Sequence, residues 1–287
     1  MPRVDSSIDA IDWTGNVTTW STPDAAARTI GPVHINSPFR VGAQLCVSSK
    51  KGPKAEILQI ATHGVGFDKR YWDVELEPEE YSYVDAAVKK GYSVLTYGRL
   101  GTGQSQTPDA YTVLARSGRL IISSHSYGSY LIVLMLSKHA DLTDLPILVN
   151  VLHYDHEFAR EHDPVRFGCC PQKLFLRKGA LDPEMLDYTD KIKQPEAIGE
   201  YASEGNNLPS PALGFNGPIQ LFNGEFDNYI CIGDCGGVYN ATVAKGLFPD
   251  AVTEPCLQPN TGHALTVAKN ASAGYQVMLH LLDSHGL

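Results

Sequence analysis

Between Leu120 and Leu136 the chain reads Leu-Ile-Ile-Ser-Ser-His-Ser-Tyr-Gly-Ser-Tyr-Leu-Ile-Val-Leu-Met-Leu. The apolar run Leu120–Ile122 predicts a buried strand, and Tyr130–Leu136 suits a buried helix. A strand that turns sharply into a helix at a serine is the pattern Gly-x-Ser-x-Gly, in which the turn presents the hydroxyl at the sheet edge. Here Ser124 stands at the first glycine position, giving Ser-x-Ser-x-Gly around Ser126. Small residues are required on both sides because a strained turn brings incoming and outgoing backbone close together. Taken alone, the same string also describes a serine-rich turn between two core elements. The rest of the chain has to decide.

The 287 residues are 43% apolar, enough for a large core and better suited to one domain with an insertion than to two domains. A net charge of −9 argues against a nucleic-acid partner, which requires a basic face. No uninterrupted apolar run approaches the roughly 18 residues of a membrane span. Pro2–Ser7 is polar, with no signal-peptide core, which favours the cytoplasm unless a leader is missing. Against that stand six cysteines and the sequons at Asn16, Asn240 and Asn270, which leave secretion open. Cys231 and Cys235, four apart, are the pair most suspected of bridging. A zinc site there lacks a second ligand pair of suitable spacing.

Along the chain, residues 1–30 read as a polar lead-in. Strands are expected at Val33–Ile35, Arg40–Ser48, Ile57–Thr62, Tyr92–Tyr97, Pro146–Leu152, Pro218–Asn223 and Val252–Gln258. A helix is expected from Pro78 to Lys90, with acids first, lysines last and Gly91 ending it. Others are expected at Tyr239–Leu247 and Ser272–Leu282. Such alternation predicts a mostly parallel sheet with right-handed crossovers and ligands at the carboxyl ends of its strands. The crossover from Ser105 to Gly118 is short, with room for a helix only near Asp109–Arg116. Proline-punctuated residues 155–215 read as a cap inserted in a core made of 31–154 and 216–287, with short helices near Pro183–Tyr188 and Pro195–Ser203.

The chemistry follows from what lies at the strand ends. Serine is a weak nucleophile until a base takes its proton, and imidazole has the suitable pKa. His263 follows the last strand, and Asp227 follows the one before it, where a carboxylate can orient the imidazole. Glu225 is the reserve acid. A developing oxyanion needs fixed N–H donors, each worth about 3 kcal/mol. The backbone of Tyr127, just after Ser126, and that of Val65, after His63-Gly64, are the candidates. Gly98, Gly101 and Gly103 are wrongly spaced for a dinucleotide fingerprint. The acidic and histidine cluster from His153 to Asp163 lacks His-Glu-x-x-His spacing and reads as a solvated start to the cap. No metal or cofactor is expected.

At this point the chain resembles the α/β-hydrolase superfamily, and within it fungal-type serine hydrolases. The resemblance rests on Thr-His-Gly-Val-Gly-Phe-Asp-Lys-Arg-Tyr-Trp-Asp (62–73), Gly-Arg-Leu-Gly-Thr-Gly-Gln-Ser (98–105), Ser-His-Ser-Tyr-Gly-Ser (124–129), Asn-Gly-Glu-Phe-Asp (223–227) and Thr-Gly-His (261–263). It implies the α/β-hydrolase fold with an inserted cap, and Ser126, Asp227 and His263 in the catalytic roles. Gly98 departs from the family's usual Asp, and Ser124 from its glycine. Serine at the nucleophile position speaks against the epoxide-hydrolase and dehalogenase branches. The expected activity is cleavage of a carboxylic ester, lactone or related small acyl substrate through an acyl-enzyme. Tyr71, Trp72, Phe167 and Phe175 are the candidate lining of an apolar acyl pocket. A hydrolase-like binding scaffold and an acyl transferase or cyclase are the alternatives.

Overall fold

In the computed structural model, seven strands form one twisted sheet in the order β1-β3-β2-β4-β5-β6-β7. The structure describes residues 37–107, 123–141, 147–149, 175–194, 211–231, 233–237 and 241–287. The strands are β1 (Ala43–Cys46), β2 (Leu58–Thr62), β3 (Ser93–Tyr97), β4 (Ser123–His125), β5 (Ile147–Val149), β6 (Pro218–Gly224) and β7 (Val252–Gln258). Among the described residues, only β1 runs antiparallel, pairing with β3, and every other neighbouring pair is parallel. The sheet is therefore mostly parallel, as the alternating pattern requires.

Its two faces carry separate cores, because side chains alternate along a strand. On β6, Ile219 and Leu221 join a cluster with Ile132, Leu136 and Phe248, while Phe222 faces the other cluster, with Trp72, Tyr83 and Tyr275. Helix α3 (Tyr127–Leu136) follows β4 directly and is apolar almost all round, consistent with its burial. Helix α7 (Ala271–Ser284) closes the chain over α1 (Pro78–Tyr81) and α2 (Tyr83–Lys90). The Tyr275 hydroxyl donates to the Tyr81 carbonyl at 2.7 Å, and that of Tyr92 to the Leu287 carbonyl at 2.7 Å.

Several boundaries differ from expectation, for local reasons. The helix expected from Pro78 to Lys90 is two helices, broken at Ser82, whose backbone is extended (φ −92°, ψ 114°). Ser82 Oγ accepts the Asp85 N–H and donates to Asp73 Oδ1, so a side chain caps the second helix where continuation was expected. The helix after Ser126 begins at Tyr127 rather than Tyr130. The helix expected at Pro183–Tyr188 is α4 (Pro183–Ile192) and runs on past Tyr188, whereas Pro195–Ser203 lies outside the described residues. So do the lead-in 1–30, Val33–Ile35, Asp109–Arg116, Leu120–Ile122 and the cluster from His153 to Asp163.

Residues 175–194, within the segment expected to form a cap, bond directly to the rest of the fold. Gln194 N–H donates to the Gly66 carbonyl at 2.9 Å, Gly103 N–H to Gln194 Oε1 at 2.9 Å, and Lys269 N–H to the Ala180 carbonyl at 2.9 Å. Among the described residues, no helix is long and apolar enough to cross a membrane.

Where β6 and β7 end, the backbones nearly touch. A Cβ on Gly224 would lie 2.1 Å from the Gly262 carbonyl oxygen and 2.7 Å from that of Thr261. Gly224→Ala is expected to destabilise the fold by about 3 kcal/mol, an overpacking cost at the top of the usual range. Gly246→Ala is the control: it sits in helix α6 (Ala241–Leu247) with nothing near the new methyl, and should stabilise by about 0.5–1 kcal/mol. Urea unfolding midpoints of the two variants check both signs.

Candidate active site

Ser126 sits between β4 and α3 with φ 51° and ψ −119°, a backbone conformation that a residue with a Cβ adopts only under constraint. The surroundings supply that constraint. A Cβ on Gly128 would lie 2.8 Å from the Thr62 carbonyl oxygen and 2.9 Å from that of His63, so the helix start packs directly on the end of β2. Ser124, at the position of the expected glycine, is fully buried; its hydroxyl lies 3.2 Å from Ser129 Oγ and 3.5 Å from the Ile147 carbonyl. The hydroxyl therefore has partners, which is why a serine is tolerated there.

The same reasoning explains Gly98. A Cβ there would meet the Thr102 carbonyl oxygen at 3.0 Å and Ser105 Oγ at 3.2 Å. The loop is instead closed by Ser105 Oγ, which donates to the Gly98 carbonyl at 2.6 Å.

His263 and Asp227 meet. His263 Nδ1 lies 2.7 Å from Asp227 Oδ2, and both side chains are fully buried. Asp227 Oδ1 accepts the N–H groups of Tyr229 and Ile230 at 2.8 and 2.9 Å, so both carboxylate oxygens are engaged. Glu225 is placed elsewhere: its Oε2 accepts the N–H of Asn260, a residue held at φ 54°. Ser126, Asp227 and His263 follow the carboxyl ends of β4, β6 and β7, three strands of one parallel run, and so lie at one edge of the sheet.

The residues after β2 pack on the serine. A Cβ on Gly64 would lie 2.8 Å from Ser126 Cβ and 2.5 Å from His125 Nδ1, which brings the 63–65 backbone against the elbow. His63 turns away from it: Nδ1 donates to the Gly64 carbonyl at 2.8 Å, and Nε2 accepts the Arg99 N–H at 3.0 Å. That pairing needs the neutral ring. Burial first, and the Arg99 guanidinium second, hold the His63 pKa well below the ordinary histidine value.

His125 was not singled out in the sequence, although it lies inside the serine motif. Its Nε2 donates to the His263 carbonyl at 3.1 Å, and its ring stacks on Tyr71 with centroids 4.1 Å apart. Burial, then the neighbouring His263, keeps it neutral by lowering its pKa well below normal. Asn270 was likewise read only as a sequon. Its Nδ2 donates to the Pro259 carbonyl at 2.7 Å, and its Oδ1 accepts from Gln258 Nε2 and Thr261 Oγ1, which fixes the loop carrying His263.

Aromatic rings surround His263: Phe175 at 5.0 Å and Tyr229 at 5.1 Å between centroids, with Phe67 behind Phe175 at 6.1 Å. Of the four residues expected to line an acyl pocket, Phe175 contacts the His263 ring and Tyr71 the His125 ring. Trp72 is fully buried, with its ring contacts to Tyr71 and Tyr83, one layer further back. Phe167 lies outside the described residues. Beside Phe67 and Phe175 a cleft of about 10 Å³ opens toward Thr189, Asp190 and Lys193, room for roughly one water. A larger space of about 320 Å³ lies between Leu76–Tyr81 and the start of α4, and none of Ser126, Asp227 and His263 lines it.

Val65 follows Gly64 in the chain, and Tyr127 follows Ser126 as the opening residue of α3. Among the described residues, no cluster of three or more His, Cys, Asp or Glu side chains is arranged to hold a metal.

Comparison with solved structures defines the class. A thermophilic esterase from Thermogutta terrifontis superposes with a TM-score of 0.61 at 13% identity, over 86% of this chain and 94% of that one. An enol-lactonase from Burkholderia xenovorans gives 0.58 at 14%, over 85% and 97%. A bromoperoxidase from Bacillus anthracis gives 0.61 at 16%, over 86% and 97%. No family model matches the sequence, and no curated protein matches it. The chain has the α/β-hydrolase fold.

The two neutral buried histidines set an acid limit on stability. Unfolded histidine takes up a proton near pH 6.5, whereas folded His63 and His125 do so only at lower pH. Below about pH 6.5 the unfolded chain therefore binds more protons, and stability falls with falling pH by about 1.4 kcal/mol per unit for each ring. The urea midpoint is expected to hold above pH 7 and to drop between pH 6.5 and 5. In His125→Asn the slope should be about half as steep.

Proposed function

We propose that this protein is a serine hydrolase that cleaves a small carboxylic ester, lactone or related acyl substrate through an acyl-enzyme. The reading rests on one observation above all: the buried 2.7 Å contact between His263 Nδ1 and Asp227 Oδ2, at the sheet edge that carries Ser126 in a strained turn. With Nδ1–H given to the carboxylate, Nε2 is left as the basic nitrogen that takes the Ser126 proton. Ser126 Oγ then attacks the acyl carbon. Backbone N–H groups of Val65 and Tyr127 serve the tetrahedral oxyanion, a role supported by the packing of the Gly64 segment on Ser126. The alcohol leaves with the proton from His263, and water activated by the same ring releases the acid. Phe67, Phe175 and Tyr229 supply an apolar wall for the acyl group. This proposal agrees with a fold whose solved relatives include an esterase and an enol-lactonase.

Short-chain aryl esters test it. Ser126→Ala should lower kcat by about 10⁶-fold and abolish labelling by a fluorophosphonate. Asp227→Asn should lower it by about 10⁴-fold, while Glu225→Gln, which loses only a turn contact, stays within a few-fold of wild type. Equal, slow hydrolysis by wild type and Ser126→Ala, with neither labelled, would establish a ligand-binding scaffold instead.

A further inference from the structure

The loop after Asp227 is closed by a bond between Cys231 and Cys235, with Cα atoms 5.1 Å apart and both residues buried. The two ends of this short ring grip the main chain on either side of the acid. Cys231 N–H donates to the Asp227 carbonyl at 3.1 Å, and Cys235 N–H to the Glu225 carbonyl at 2.9 Å. Gly233 N–H adds a second bond to the Asp227 carbonyl at 3.0 Å, and Asn223 Nδ2 contacts Cys235 Sγ at 2.9 Å.

Helix α5 (Asn228–Cys231) runs into the ring at Cys231, a single turn whose first N–H groups hold Asp227 Oδ1. One turn of helix does not persist by its own hydrogen bonds, because nucleation costs more than one turn returns. Something else must keep those donors in place. We infer that the Cys231–Cys235 disulfide is a positioning device for the catalytic acid: it fixes α5, α5 fixes the Asp227 carboxylate, and the carboxylate fixes His263. The inference rests on the triad reading given above.

The chemistry of release is simple. A dithiol reductant supplies two electrons and two protons, the S–S bond becomes the two thiols of Cys231 and Cys235, and the reductant leaves as its own disulfide. The carboxylate then keeps its charge but loses its fixed direction. A displacement of about 1 Å remote from the reacting bond can cost on the order of 10²-fold in rate.

Dithiothreitol under native conditions, with trapping by iodoacetamide and mass mapping, gives the test. Reduced protein should show kcat lower by about ten- to a hundredfold with KM nearly unchanged, and reoxidation should restore it. The Cys231→Ser/Cys235→Ser variant should match the reduced enzyme and ignore dithiothreitol; Cys231→Ala/Cys235→Ala serves if the serine pair fails to fold. On an Asp227→Asn background, reduction should cost nothing further, an outcome that general loosening of the fold would not produce. Free thiols at both positions in the isolated protein, or full kcat without the bond, would overturn the inference. So would an equal loss on the Asp227→Asn background. If Ser126→Ala remains as active as wild type, the triad itself fails, and that result is distinct from an active, Ser126-dependent enzyme indifferent to reduction.

Discussion

The site depends on a steric constraint, the close approach of the backbone leaving β2 to the turn that carries Ser126. Two glycines on opposite sides make the approach possible, Gly128 against the Thr62 and His63 carbonyls and Gly64 against Ser126 and His125. Neither has room for a methyl. The left-handed φ of Ser126 costs on the order of 1–3 kcal/mol in isolation, so it persists only because the sheet and α3 fix both of its neighbours. The strain and the packing are two views of one arrangement: relaxing the turn would drive α3 into the end of β2.

The other half of the site repeats this logic with different parts. β6 and β7 pair over their full length, and Gly224 lets the turn after β6 lie on the loop that carries His263. That loop is in turn covered by the stretch that begins at Phe175. Ala264 N–H donates to the Phe175 carbonyl at 2.9 Å, and the Arg177 guanidinium lies 3.6 Å from the centre of the Phe226 ring. The stretch that begins at Phe175 is thus bound to the loops that carry Asp227 and His263 by its backbone as well as by its rings.

Much of this was legible in the sequence, because the signals were local. A cluster of small residues followed by an apolar run suffices to place a tight turn and a helix around Ser126, whereas the strand before it lies at Ser123–His125 and the run Leu120–Ile122 lies outside the described residues. Strand ends followed by Asp227 and His263 could be read from the alternation of elements. The misread features depend on distant partners. The helix break at Ser82 is set by Asp73, nine residues earlier, and by the cap bond to Asp85. Tyr71 and Trp72 are adjacent aromatics that look alike in the sequence, yet one stacks on His125 and the other packs behind it against Tyr83. His125 carried a signal of its own, a polar ring beside the serine in a segment otherwise fit for burial, that the motif itself obscured.

The placement of α7 has a consequence for the order of folding. Its Tyr275 ring packs edge-on against Tyr83 and its hydroxyl meets the Tyr81 carbonyl, while Asp283 pairs with Lys54. These partners stand about two hundred residues earlier, at the start of the sheet. A chain emerging from its N-terminus exposes the early aromatic cluster long before the helix that covers it has been made. The elbow at Ser126 likewise precedes β6 and β7. The nascent chain therefore carries an open, apolar half-sheet until α7 is made and seals it. Such a protein is most vulnerable to association with other chains in the interval after β7 is made and before α7 covers the sheet.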